Sequence, residues 1–254
     1  SCVDATFPDK NAGTGKTVTV AGISISGADA ANYHLTSTTA TTTASITQRD
    51  LTVTATGGDR VYDGTTMPVV TLATDALSGD IVTASYAAAS FADKNAGTGK
   101  AASVTGISID GADAANYDLL GTTASATASI TPRNLTVTAT GIDRVYDGTV
   151  QAAVGLSSDA LGGDFVTASY VSASFTDKNV GAGKAITVSG ISISGADAAN
   201  YQLVSTATPA TASITAATLT ITANDSGKTY GETLTLAGTE FTAGIVGTGD
   251  AARV

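Results

Sequence analysis

Among the 254 residues there is one Cys, one His, one Met and no Trp. The lone Cys2 excludes an internal disulfide and any zinc site built on a Cys pair. The lone His34 excludes a His-dependent catalytic triad and a multi-His metal centre. Positive charge is also scarce: 12 Lys and Arg face 22 acidic residues, for a net charge of −10. Such a surface repels nucleic-acid phosphates and anionic lipid alike, so neither is an expected partner. Only two of the acids, Glu232 and Glu240, are Glu; the rest are Asp, the acid favoured in turns rather than on helices. No apolar stretch approaches the roughly 20 residues that cross a bilayer as a helix, and direct membrane insertion is not expected. With aromatic residues at 5%, a core has to be thin and built mainly from Val, Ile, Leu and Ala.

What is abundant is repetition. Tyr62-Asp63-Gly64 returns as Tyr146-Asp147-Gly148, and a relative, Tyr230-Gly231, follows after the same interval of 84 residues. Asp9-Lys10-Asn11 recurs at Asp93-Lys94-Asn95 and Asp177-Lys178-Asn179, and Asn32-Tyr33 at Asn116-Tyr117 and Asn200-Tyr201. A fixed period of this size marks an array of like units along one chain. Residues 50–133 and 134–217 are complete copies. Residues 1–49 correspond to the later part of a copy, and 218–254 to the opening of another. The first residues lack the basic start and apolar run of a signal peptide, which is uninformative in a chain that opens inside a repeat.

Each copy reads as short strands separated by turn residues. Leu51–Thr56 alternates apolar and hydroxyl side chains at period two, the pattern of a half-buried strand. Further strands are expected at Val69–Ala73, Ile81–Phe91, Ala101–Ile109, Tyr117–Leu120 and Ala124–Thr131. Segment 111–116 is expected to form one short helical turn that Asp113 can cap. Six or seven strands in such a length predict an all-β fold of tandem immunoglobulin-like β-sandwich repeats. Ser129-Ile130-Thr131-Pro132-Arg133 runs into Asn134-Leu135 without a Gly/Ser linker, so the repeats should bend little and form an elongated rod. Each would add roughly 35–40 Å, or about 110 Å for three.

Several motifs invite a chemical reading. Gly13-Thr14-Gly15-Lys16-Thr17 imitates the end of a phosphate-binding loop, but Lys10 stands where the first Gly belongs, and strand residues follow instead of a helix. A Gly-rich turn is the plainer reading. His34 is replaced by Asp118 and Gln202 in the other copies, as befits a solvent-facing position. Calcium is the metal that the wealth of Asp leaves open: Asp75, Asp80, Asp93, Asp110 and Asp113 could converge at strand ends. Against it, no Asp-x-Asp-x-Asp-Gly loop exists, and Asp110 becomes Ser194 in the next copy. A Lys–Asn cross-link would require Lys100, Asn116 and Asp63 to meet. All eight Tyr fall at three repeat positions, 33/117/201, 62/146/230 and 86/170, with Phe7, Phe91 and Phe175 as a fourth set. Rings in register are most simply packing residues whose hydroxyls find nearby backbone. Cys2 stands at the position of Tyr86 and Tyr170 and reads as a substituted packing residue. No catalytic, cofactor-binding or metal-binding residue is assigned, and the chain is not expected to be an enzyme.

The opening Leu-Thr-Val-Thr-Ala-Thr-Gly with Arg-Val-Tyr-Asp-Gly-Thr resembles the repeats called YDG domains. So do Asp-Lys-Asn-x-Gly-x-Gly-Lys, Gly-Ala-Asp-Ala-Ala-Asn-Tyr and the closing Ala-Ser-Ile-Thr. Residues 219–231 look like the start of the related MBG repeat, with Gly231 where the YDG Asp would be. The resemblance implies a tandem-repeat segment of a very large bacterial secreted or surface adhesin of the filamentous-haemagglutinin type. The expected function is then a non-enzymatic stalk or fibre segment at the bacterial cell surface. The alternative is a repeated module that grips a glycan or receptor by avidity. For the stalk, the expected partners are neighbouring repeats of the same long chain, of which this sequence reads as a window; the alternative is further copies joined head to tail, with 218–254 completing 1–49 by strand exchange.

Overall fold

The computed structural model describes residues 1–235 and 237–244. Two compact units emerge. The first holds residues 1–61 and 65–131; the second holds Tyr62–Gly64 together with the chain from Pro132 onward. Both are all-β. Among the described residues the only helical pieces are three single 3-10 turns, Ala30–Asn32, Ala114–Asn116 and Ala198–Asn200, one per repeat.

In the first unit the strands are β1 (Asp4–Thr6), β2 (Gly13–Ala21), β3 (Ala40–Ile46), β4 (Arg49–Leu51), β5 (Val53–Gly58), β6 (Arg60–Val61), β7 (Val69–Thr74), β8 (Thr83–Ser85), β9 (Ala88–Phe91), β10 (Gly97–Thr105), β11 (Ser108–Asp110), β12 (Tyr117–Leu119) and β13 (Thr123–Thr131). The main sheet of the complete repeat runs β6-β13-β10-β9. Its long members are antiparallel, while two-residue β6 lies parallel to the end of β13, Arg60 opposite Ile130 and Val61 opposite Thr131. The ribbon β5–β7 packs over β13. Alternation places Ala102, Val104, Ala126, Ala128 and Ile130 inward, all at most 4% exposed, beside Leu51 and Phe91. Each fully buried branched side chain stabilises the unit by about 1.5–3 kcal/mol. The two Ala on β13 let the ribbon come close. A Cβ on Gly57 would sit 2.5 Å from the Thr127 carbonyl oxygen and 2.9 Å from the Ala128 Cβ.

The partial first repeat makes only the sheet β1-β2-β3, and β3 is its edge. Thr42 and Ala44 are exposed there, whereas their counterparts Ala126 and Ala128 are buried. Among the described residues of this unit, no counterpart of the β5–β7 ribbon covers that face.

The second unit repeats the plan with β14 (Arg133–Leu135), β15 (Val137–Gly141), β16 (Arg144–Val145), β17 (Val154–Ser158), β18 (Thr167–Ser169), β19 (Ser172–Phe175), β20 (Gly181–Ser189), β21 (Ser192–Ser194), β22 (Tyr201–Leu203) and β23 (Ala207–Thr215). Its main sheet is β16-β23-β20-β19. The opening of the next repeat contributes the hairpin β24 (Ile221–Ala223) and β25 (Phe241–Ala243).

The expected strands at Val69–Ala73, Tyr117–Leu120 and Ala124–Thr131 coincide with β7, β12 and β13 to within a residue or so at each end. The other three are each broken in two. Leu51–Thr56 divides at Thr52, whose N–H is taken by Asp75. Ile81–Phe91 divides at Tyr86-Ala87, and Ala101–Ile109 divides opposite it at Gly106, which has φ +67°. A Cβ on Gly106 would meet the Ala87 Cβ at 2.6 Å, so both chains turn the corner together. Asp113 does not cap the helical turn with its side chain; it reaches across to the Ile81 N–H at 2.9 Å.

Candidate functional site: a joint between repeats

The pairing of Arg60 and Val61 with β13 ends at the Tyr-Asp-Gly turn, where Gly64 takes φ +80°. Tyr62 is 1% exposed, yet it is buried against the third repeat. Its hydroxyl donates to Asp164 Oδ2 at 2.9 Å, and its ring meets that of Tyr201 edge-on, with centroids 5.5 Å apart. Tyr201 donates to the same carboxylate oxygen at 2.7 Å and accepts the Leu161 N–H at 2.9 Å. One carboxylate oxygen therefore receives two phenolic protons. Burial, reinforced by Asp164, pushes the Tyr201 pKa up to about 12, so its hydroxyl stays a donor at neutral pH.

Two loops build this acceptor. One is the turn 161–164, with Gly163 at φ +96°. The other is the 3-10 turn Ala198–Asn200, which delivers Tyr201 to the start of β22. Asp197 holds the loops together by accepting the Phe165 N–H at 2.9 Å. The second repeat builds the same acceptor. Tyr117 accepts the Leu77 N–H at 2.9 Å and donates to Asp80 at 2.8 Å, and Asp113 accepts the Ile81 N–H.

In the first unit this acceptor meets the Asp-Lys-Asn loop of the first repeat. Lys10 Nζ lies 2.5 Å from Asp80 and 3.1 Å from Asp113. The Ala12 N–H donates to Asn116 Oδ1 at 2.8 Å, and Gln48 Nε2 donates to the carbonyls of Ala115 and Tyr117. The Lys10 hydrogen bond, with that of Tyr117 second, holds the Asp80 pKa below the ordinary carboxylate range. Reciprocally, Asp80 and then Asp113 raise that of Lys10.

The other loops spend their charges locally. Lys16, Lys100 and Lys184 close their own Gly-rich turns onto Asp9, Asp93 and Asp177, and each Asp also accepts the N–H two residues on. The segment that imitates a phosphate loop is thus a bulged turn within β2. Lys100 contacts Asp93 and the Asn95 carbonyl, while Asn116 contacts Ala12 and Asn11. The residues considered for a Lys–Asn cross-link are not brought together.

Of the five Asp considered for calcium, Asp80 and Asp113 do converge, on the ammonium of Lys10. Asp75 accepts the Thr52 N–H, Asp110 that of Gly111, and Asp93 that of Asn95. Among the described residues no three His, Cys, Asp or Glu side chains are placed to hold a metal.

Tyr117 and Tyr201 are buried packing residues with hydroxyls tied to backbone, whereas Tyr33 at the same repeat position is 73% exposed and Tyr230 is fully so. His34 and Cys2 are exposed. Sequence reading missed the pairing of Tyr62 with Asp164 and the part played by Leu161 and Gln48. A signal was available: Leu77/161 and Asp80/164 recur as faithfully as the Tyr-Asp-Gly turn itself.

Fold and joint together define an all-β tandem-repeat protein. YDG domains match at residues 2–42, 47–127 and 131–211, and the chain belongs to the YDG domain family. No curated protein and no solved structure shows a match to it.

Proposed function

We propose that this chain is a non-enzymatic structural segment of a bacterial extracellular protein, a stalk or fibre whose repeats are pinned end to end. The observation that carries this reading is the joint. The side chains best placed to do chemistry, Asp80, Asp164, Lys10, Tyr62 and Tyr201, are engaged with a neighbouring repeat, and Tyr117 is bound to Asp80. The Tyr-Asp-Gly turn at 62–64 is thereby a structural pin. The acidic surface keeps neighbouring copies apart in solution. The extracellular, cell-surface location follows from the YDG resemblance to large bacterial adhesins, and the partners are further repeats of the same kind.

Negative-stain electron microscopy of the purified chain, run beside a glycan-array screen, tests the proposal. Extended particles of roughly 110 Å, by strand-length reckoning, with no glycan retained, are expected. Compact particles, or saturable glycan binding abolished by Tyr33→Ala in a chain that still folds, would replace the stalk with an adhesive module.

A further inference from the structure

Strand polarity divides each complete repeat into two kinds of pairing. Among the described residues the parallel ladders are β4–β12, β6–β13, β14–β22 and β16–β23. The other paired strands are antiparallel. Every parallel ladder joins the segment by which the chain enters a repeat to the segment by which it leaves. In the second repeat β4 and β6 enter while β12 and β13 leave; in the third, β14 and β16 enter while β22 and β23 leave.

Side chains reinforce the two-residue ladders β6–β13 and β16–β23, in the same way in both repeats. Asp59 accepts the Ser129 N–H and Asp143 the Ser213 N–H, each at 2.6 Å. Thr131 Oγ1 donates to the Arg60 carbonyl and Thr215 Oγ1 to that of Arg144, each at 3.3 Å. The Tyr146 N–H extends the β16–β23 ladder to the Thr215 carbonyl at 2.8 Å. Arg60 and Arg144 also lie 5.7 and 5.2 Å from the ring centres of Phe91 and Phe175, residues of the strands at the other edge of each sheet. Leu51 on β4, Leu135 on β14, Ile130 on β13 and Ile214 on β23 are at most 1% exposed, so entering and leaving segments are both anchored in the core.

We propose that the complete repeat is a force-bearing module whose mechanical clamp is the parallel ladder β6–β13, and β16–β23 in the third repeat. Tension along the chain draws an entering strand toward its N-terminal end and a leaving strand toward its C-terminal end. Parallel neighbours are then pulled past each other along their length, and the hydrogen bonds that cross between them are sheared together. Antiparallel neighbours loaded in this way would unzip one pair at a time. β23 is moreover an inner strand, flanked by β16 and β20, so it cannot peel from an edge. Equilibrium stability gives no reason for the polarity, since parallel pairing is slightly weaker per residue. The proposal rests on the stalk reading and names the element by which each repeat withstands pulling.

Optical-tweezers pulling on the full chain, with Cys2→Ser and paired engineered thiols to carry DNA handles, tests it along two axes. Handles at Pro132→Cys and Ala216→Cys load the clamp of the third repeat in shear. Handles at Ser172→Cys and Ser189→Cys, cross-strand partners at the open end of the β19–β20 hairpin, load the same repeat by unzipping. At equal force the first axis should outlast the second. Its rupture should free a contour of roughly 280–300 Å, the full extension of one repeat, less the folded span. Asp143→Ala removes a charged acceptor from the clamp; it should shorten the first-axis lifetime about tenfold and leave the second unchanged. Asp143→Asn keeps an acceptor oxygen and should fall between. A circular-dichroism melt checks that each variant folds, and where one does not, the two-axis comparison on the unaltered clamp decides. Equal lifetimes on the two axes, or an Asp143→Ala effect shared by both, would overturn the proposal and leave β16–β23 an ordinary stabilising contact. A repeat that yields equally on both axes sinks this inference alone; a compact or glycan-binding particle sinks the stalk.

Discussion

One carboxylate oxygen that accepts two tyrosine hydroxyls is the smallest unit on which the joint depends. Tyr62→Phe removes one buried hydrogen bond to a charged acceptor and should cost about 1.5–3 kcal/mol in urea unfolding. Asp164→Ala should cost more, since it strips the shared acceptor from both Tyr62 and Tyr201. The double variant should then fall short of the sum, because after Asp164→Ala the Tyr62 hydroxyl has no carboxylate left to lose. Titration gives a second check. The Tyr201 pKa is raised from 10.0 to about 12, so its contribution is fully present below pH 10 and lost as pH rises through 12. Phenolate absorbance should therefore show late titration of Tyr201, absent from Tyr201→Phe, and stability should fall across that window. Asp147 behaves in the opposite sense. The Thr149 N–H and then Arg144 lower its pKa to about 2, so the stabilisation holds above about pH 4 and fades as pH falls through 2. Asp147→Asn should flatten the acid limb of the stability profile.

At the scale of elements, two glycines of different kinds separate close approach from backbone freedom. Gly57 holds the β5–β7 ribbon against β13, and Gly57→Ala should force the ribbon outward at about 1–3 kcal/mol, as overpacking does. Gly99 sits at φ +59° with open space around its missing Cβ, so Gly99→Ala should cost only the left-handed backbone term, about 1–2 kcal/mol. Raising the side chain to Val separates them further: the cost should climb steeply at 57 and more gently at 99, as thermal midpoints would show. The all-β class and three of the strands were legible from alternation and turn residues. The breaks at Thr52, Tyr86-Ala87 and Gly106 were not, because each is set by a partner far along the chain, such as Asp75 for Thr52. The role of Asp113 was misjudged for the same reason. A cap to its own helical turn is a local inference, whereas its acceptance of the Ile81 N–H spans 32 residues. Periodicity states which residues are equivalent, and it leaves unsaid which copy each one touches. Tyr62 lies next to Asp63 in sequence, but its carboxylate partner is 102 residues away in the following repeat.

For the molecule as a whole, that offset matters more than any single bond. Each acceptor is completed by a neighbouring repeat: Asp80 and Asn116 by the loop of the first, and Asp164 and Tyr201 by Tyr62 of the second. Stability in such an array is a sum of intrinsic repeat terms and nearest-neighbour terms. If the pin supplies a nearest-neighbour term, consecutive repeats should unfold together. Tyr62→Ala deletes a nearest-neighbour term while leaving Val104, Ile130, Val188 and Ile214, the cores of the two repeats, in place. A core change such as Val104→Ala instead lowers an intrinsic term and keeps the pin. The two should look different in urea. Val104→Ala should shift the midpoint with little change of slope, whereas Tyr62→Ala should broaden or split the transition and lower the apparent m-value, as uncoupled repeats expose their surfaces in separate steps. Should Tyr62→Ala merely shift the midpoint as Val104→Ala does, the turn would be an ordinary packing contact, and the array would owe its cooperativity to the continuous chain between repeats.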